Sequence, residues 1–112
     1  MPSTLPILDK QSALDRIGGD EQLYDEVLEL FLEDVPIQIS KLDTAVVSLD
    51  RAVIERQVHS IKSAAANVGA EALRAICFDA EPVAQSAAQE ALLDLVKQIH
   101  VEFRRVYNHC KI

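Results

Sequence analysis

Apolar residues recur along most of this chain at the spacing of one helix face. The clearest case is Ile54, Val58, Ile61, Ala65 and Val68, a single stripe that predicts a helix over 51–68. Asp50 stands where an N-cap is needed and Gly69 where the helix must end. Upstream, Leu23, Val27, Leu30 and Phe31 follow the cap candidate Asp20, and Ile39, Leu42, Val46 and Leu49 follow Pro36. Residues 21–48 are therefore expected as one helical unit kinked at Pro36. Downstream, Leu73, Ile76, Cys77 and Ala80 predict a helix over 71–84, with Pro82 kinking or stopping it. Leu92, Val96, Ile99, Phe103, Val106 and Cys110 predict another over 90–109, and residues 85–90 are a connection or its first turn. A short helix over 10–17 carries Leu14 and Ile17. It starts better from Asp9 than from Ser12, which would leave barely one turn before Gly18-Gly19.

Each long segment has one apolar stripe, and the connections are short. Such helices bury their stripes against one another as an all-α, antiparallel up-down four-helix bundle, with the short N-terminal helix added at one end or side. Residues 1–7 are expected as a flexible lead and 8–112 as a single domain. Turn residues agree: the 112 residues include three Gly and four Pro, too few for the turns of a β-rich fold.

Charge and composition narrow the function. Eleven Lys and Arg against 18 Asp and Glu give a net charge of −7 with no basic run, which disfavours nucleic acid and anionic membranes as partners. No apolar run approaches the roughly 20 residues of a membrane span. The opening MPSTLPILDK lacks a basic stretch and a long apolar core, so no secretion signal is expected. With only Cys77 and Cys110, the chain is expected to hold reduced thiols in the cytoplasm.

The candidate chemistry lies on the outer face of 51–68. Turning about 100° per residue, His59 falls roughly 140° from the apolar stripe, Lys62 roughly 80°, Ala66 roughly 120° and Ser63 roughly 180°. His59 thus points to solvent, with Lys62 and Ser63 beside it one turn on. Where a helix surface usually carries long polar side chains, Ser60, Ser63, Ala66 and Asn67 are small or short. A histidine on such a surface can be approached closely by another protein. A neutral imidazole is a good nucleophile near pH 7, and its phosphorylated form is labile enough to pass the group on. Lys62 would supply charge for the phosphate. By itself a surface histidine on an Ala-rich helix is also an ordinary surface residue.

The segment HSIKSAAANVGAEAL, residues 59–73, resembles the signature of histidine phosphotransfer (HPt) domains of two-component phosphorelays. That signature runs His, any residue, an aliphatic residue, Lys, then Gly or Ser and small residues, closing on an aliphatic-Gly-Ala turn. RIGGDEQLYDEVLELFLEDVP, residues 16–36, resembles the family's Gly-Gly-Asp start and its Leu-Phe-Leu helix leading to a Pro. Together the likeness covers roughly residues 8–109. It implies that His59 is the phosphoacceptor through Nε2, that Lys62 neutralises the phosphate, and that Ser63 gives clearance where Gly is commonest. It implies docking across Ser60, Ala66 and Asn67, with help from the short first helix. A Glu or Gln where Glu81 stands would hold the other imidazole nitrogen, which makes Glu81 a supporting site residue unless a kink at Pro82 rotates it away.

The resemblance further implies a monomeric relay module, not an enzyme with an ATP site. Its partners would be receiver domains of a hybrid sensor kinase or of response regulators. It would need no cofactor of its own, Mg²⁺ belonging to the receiver. Two other classes stand beside it. A sensor-kinase segment would carry an acidic residue after the His and a Pro five residues on, where Ser60 and Ala64 stand. A helical interaction module that has lost phosphotransfer would have no need of His59 and Lys62. His100, His109 and Cys110 match no common zinc spacing, so no metal is expected. Cys77 reads as a core residue, and Phe78 lies off its helix's apolar stripe, facing away from the core.

Overall fold

The structure, a computed structural model, describes residues 5–110. Its elements are α1 (Lys10–Arg16), α2 (Glu21–Ser48), α3 (Arg51–Val68), α4 (Glu71–Ala80), a 3₁₀ turn (Glu81–Val83) and α5 (Gln89–Cys110). Among the described residues there is no strand. Three of the helix starts are fixed by aspartates whose carboxylates accept a backbone N–H three residues on: Asp9 from Ser12, Asp20 from Leu23 and Asp50 from Val53. Asp9, not Ser12, caps α1. The Ser12 hydroxyl and amide both bond the Asp9 carboxylate and hold its pKa below the usual range.

α2 packs on α3 and α5, and α4 packs on the same two, so the long helices form the antiparallel up-down bundle, 41 × 26 × 24 Å. The stripe of α3 is buried as expected, all five residues at 2% exposure or less. It meets Phe31, Val35, Ile39, Leu42 and Val46 of α2, Leu73 and Cys77 of α4, and Leu92, Val96, Ile99 and Val106 of α5 in one core. Buried Glu102 on α5 keeps its charge paired through Arg105, 2.6 Å away.

α2 runs through Pro36 as one helical unit over the expected residues 21–48, while other expectations for α2 and α4 need correction. Pro36 itself is exposed while Val35 and Ile39 are buried, so packing outweighs the one missing backbone hydrogen bond. Leu23 and Leu30 are exposed, and Tyr24 is the buried residue. Leu49 lies past the helix end, in the left-handed conformation. α4 stops at Ala80 rather than 84, because Pro82 has no N–H for the carbonyl of Phe78 and the chain tightens into the 3₁₀ turn.

α1 lies against α2 and α3. Ala13, Leu14 and Tyr24 form a second small cluster there. The Tyr24 hydroxyl donates to the Val68 carbonyl at 2.8 Å, and burial pushes its pKa up to about 12. The α3–α4 turn is pinned from the same side. The Asp9 N–H donates to the Gly69 carbonyl at 2.7 Å. Gly69 has φ +79°, and a Cβ there would collide with the Asp9 carbonyl oxygen. Of the lead, residues 1–4 lie outside the described residues. Pro6 accepts the Ala72 N–H, and Ile7 packs on the core. Among the described residues no helix is long and apolar enough to cross a membrane.

Candidate functional site

Because the Ile54–Val68 stripe faces the core, the opposite face of α3 must meet solvent. His59 stands there with its side chain 59% exposed. Its Nδ1 lies 3.0 Å from Glu81 Oε2. The other Glu81 oxygen, Oε1, lies 2.6 Å from Lys62 Nζ. One carboxylate from the α4–α5 side therefore joins both reactive-type side chains of α3.

Glu81 keeps this place despite Pro82. Its backbone stays helical (φ −58°, ψ −49°), although a residue before proline is usually pushed out of that region. Pro82 falls at the start of the 3₁₀ turn, where its missing N–H costs nothing and its fixed φ suits the turn. Of the two outcomes that Pro82 left open, Glu81 at the imidazole or rotated away from it, the structure has the first. The Lys62 ammonium, and secondarily the His59 ring, hold the Glu81 carboxyl below the usual range against the opposing effect of desolvation.

A carboxylate can only accept, so the neutral ring carries its proton on Nδ1 and donates it to Glu81. Its lone pair is then on Nε2, at the far side of an exposed ring. The arrangement offers an oriented nitrogen nucleophile, an anion able to stabilise a positive ring, and a cation one turn away. Ser63 and Asn67 are exposed, and Ser60 and Ala66 half-buried, on the same helix. Cys77 lies behind the site but is fully buried, and burial pushes its thiol up to about 12, which makes it inert.

Two neighbours were not foreseen as site residues. Arg16 Nη2 donates to the Ala66 carbonyl at 2.6 Å, placing a cation at the C-terminal end of α3. Its partner is backbone, so no complementary side chain in the sequence signals it. Phe78 is 61% exposed, and its ring centroid lies 5.9 Å from Lys62 Nζ. The sequence signal was its position off the apolar stripe of α4. Elsewhere, His100 Nε2 pairs with Asp43 at 2.9 Å, and the exposed His109 is not brought to it. No group of three His, Cys, Asp or Glu side chains able to hold a metal occurs among the described residues.

Residues 26–108 match the family model described as the Hpt domain. The fold is similar to that of histidine-containing phosphotransfer protein B (HptB) from Pseudomonas aeruginosa PAO1. There the identity is 26%, the TM-score 0.81, and the match covers 93% of this chain and 90% of that one. It is also similar to the HPT domain of an Hpt sensor hybrid histidine kinase from Shewanella, with TM-score 0.82 and 21% identity, over 94% of this chain and 91% of that one. No curated protein sequence matches significantly. With its four-helix bundle and the family model spanning most of its length, the chain belongs to the Hpt domain family, the histidine phosphotransfer intermediates of two-component phosphorelays.

Proposed function

We propose that His59 is the phosphoacceptor of this relay module. Its Nε2 lone pair attacks the phosphorus of an aspartyl phosphate on one receiver domain. The P–N bond forms, the P–O bond to the aspartate breaks, and the carboxylate leaves. The ring becomes an N-phosphoryl imidazolium whose remaining proton, on Nδ1, is held by Glu81. Transfer to the aspartate of a second receiver is the same step reversed and regenerates neutral His59. Phosphoryl transfer of this kind needs mainly positioning and charge stabilisation.

The observation that carries the assignment is the shared carboxylate. Glu81 contacts His59 Nδ1 at 3.0 Å and Lys62 at 2.6 Å, which frees Nε2 for attack and keeps an ammonium within reach of the added phosphate. Lys62 acts as a charge partner, and Ser63, Ser60, Ala66 and Asn67 leave room for the receiver. Mg²⁺ belongs to the receiver in this scheme, and the chain works as a cytoplasmic monomer without an ATP site. The partners are receiver domains of a hybrid sensor kinase and of response regulators.

Incubation with labelled phospho-receivers tests the assignment. Wild type should gain an acid-labile label, and His59→Gln should gain none while its circular dichroism and Tm stay unchanged, since the exposed ring contributes little to packing. A folded His59→Gln that still takes label would overturn it.

A further inference from the structure

Phe78 has no use in the chemistry above, and in the free fold its ring touches Lys62 but stays largely in water. Its side chain is 61% exposed. A Lys, Gln or Glu there would suit an exposed helix position better. Single exposed apolar residues are common and need no explanation by themselves. What distinguishes Phe78 is its place. Among the described residues it is the one large apolar side chain left exposed on α3 or α4, the two helices that flank the site. Three contacts link it to the imidazole: ring centroid to Lys62 Nζ at 5.9 Å, Nζ to Glu81 at 2.6 Å, and Glu81 to His59 Nδ1 at 3.0 Å.

Phosphoryl transfer requires the partner's aspartate to come within about 3–3.5 Å of in-line contact with the nucleophile. A standard interface buries about 800 Å² on each side, a patch of roughly 16 Å radius. A patch centred on His59 therefore includes Phe78. Aromatic side chains near the middle of an interface are where binding energy concentrates, and polar or small neighbours serve mainly to admit the partner. Around His59 the neighbours are small: Ser63, Ala66 and Asn67 on α3.

Resting on His59 as the phosphoacceptor, we propose that Phe78 is the apolar anchor on which the receiver domain seats beside the reacting imidazole. The seated receiver covers the ring and excludes water from Lys62 and Glu81. Electrostatic interactions there strengthen as water leaves. Phe78 thus decides which receivers transfer efficiently: those with an apolar surface beside their aspartate.

The test uses the full chain and a panel of purified receiver domains from the same cell. Transfer from each phospho-receiver is measured alongside labelling by phosphoramidate, which needs no docking surface. Phe78→Ala should lower kcat/KM for the best receiver about 10-fold or more, mainly through KM, and change phosphoramidate labelling less than about twofold. Phe78→Leu should recover most of the loss. Equal receiver kinetics for Phe78→Ala and wild type would overturn the proposal. So would an equal loss with phosphoramidate, because the ring would then be acting through Lys62.

Calorimetric binding of the receiver to His59→Gln separates this from the assignment of His59, since it needs no reaction. There, adding Phe78→Ala should raise Kd about 10-fold, whatever the labelling results say of His59. An unchanged Kd, or no receiver that binds, would refute the anchor.

Discussion

Replacing Glu81 by Gln probes the site most directly. Gln keeps the size of the side chain and a carbonyl oxygen that can accept the Nδ1–H, but removes the charge. In the wild type that charge is present at neutral pH, since Lys62 holds the carboxyl below its usual value of 4.5. Attack by Nε2 turns the ring into a cation, and a carboxylate 3.0 Å from Nδ1 stabilises it more than an amide does. The site is half open, with the His59 side chain 59% and that of Glu81 26% exposed, so a fully buried magnitude does not apply. The difference between a charge-assisted and a neutral hydrogen bond is about 1 kcal/mol, or roughly fivefold in an equilibrium constant.

By the same arithmetic, the equilibrium constant for moving the phosphoryl group from a phospho-receiver onto His59 should fall about fivefold in Glu81→Gln. The partition of label between receiver and His59 at equilibrium, read on gels at neutral pH, measures it. A transfer equilibrium constant in Glu81→Gln equal to or above that of wild type would refute the role given to the carboxylate. The fold supplies a control. A carboxyl held below 4.5 adds stability above that pH, and the contribution is lost as pH falls through its own lower value. Acid unfolding of Glu81→Gln should lack that component.

The remaining expectations are simpler. Lys62→Ala should slow transfer from a phospho-receiver about 10-fold while costing the fold less than about 1 kcal/mol, because its partly exposed ion pair contributes little; thermal melts and transfer rates measured at several ionic strengths check both. Ser63→Gln places bulk on an exposed helix position, so Tm should hold while transfer from a phospho-receiver falls far more than labelling by phosphoramidate. Gly69→Ala should destabilise by about 2–4 kcal/mol, since it combines a left-handed φ with a collision against the Asp9 carbonyl; thermal unfolding should show a Tm drop of about 10 °C.

Local chemistry made much of this molecule readable from its sequence. The α3 stripe, the three aspartate caps and the Gly69 stop each depend on residues within one or two turns, and all stand where expected. α2 was harder because it packs on three partners: α1, α3 and α5. Periodicity there selected Leu23, whereas Tyr24 is the buried residue. Tyr24 is buried because its hydroxyl reaches the Val68 carbonyl, 44 residues away, which no window along the chain reveals. The place of Glu81 stayed open for a related reason. Pro82 signals a change of direction, but whether a carboxylate then swings toward or away from α3 depends on the packing of α4 against that helix.

The bundle separates stability from chemistry along a single helix. Val58 and Ile61 face the core at 2% and 0% exposure, while His59 and Ser63 are exposed among them. Substitutions at 59 or 63 can therefore tune reactivity with little cost to folding, and substitutions at 58 or 61 cannot. The exposed face is nonetheless held in place by what lies around it. Arg16 of α1 bonds the Ala66 carbonyl at one end, Glu81 of the 3₁₀ turn ties His59 and Lys62 from the side, and Phe78 stands beside Lys62. Only Glu81 among these is linked directly to the imidazole. The proton position on His59 thus depends on the α4–α5 connection, whereas the depth to which a partner can approach depends on the small residues of α3.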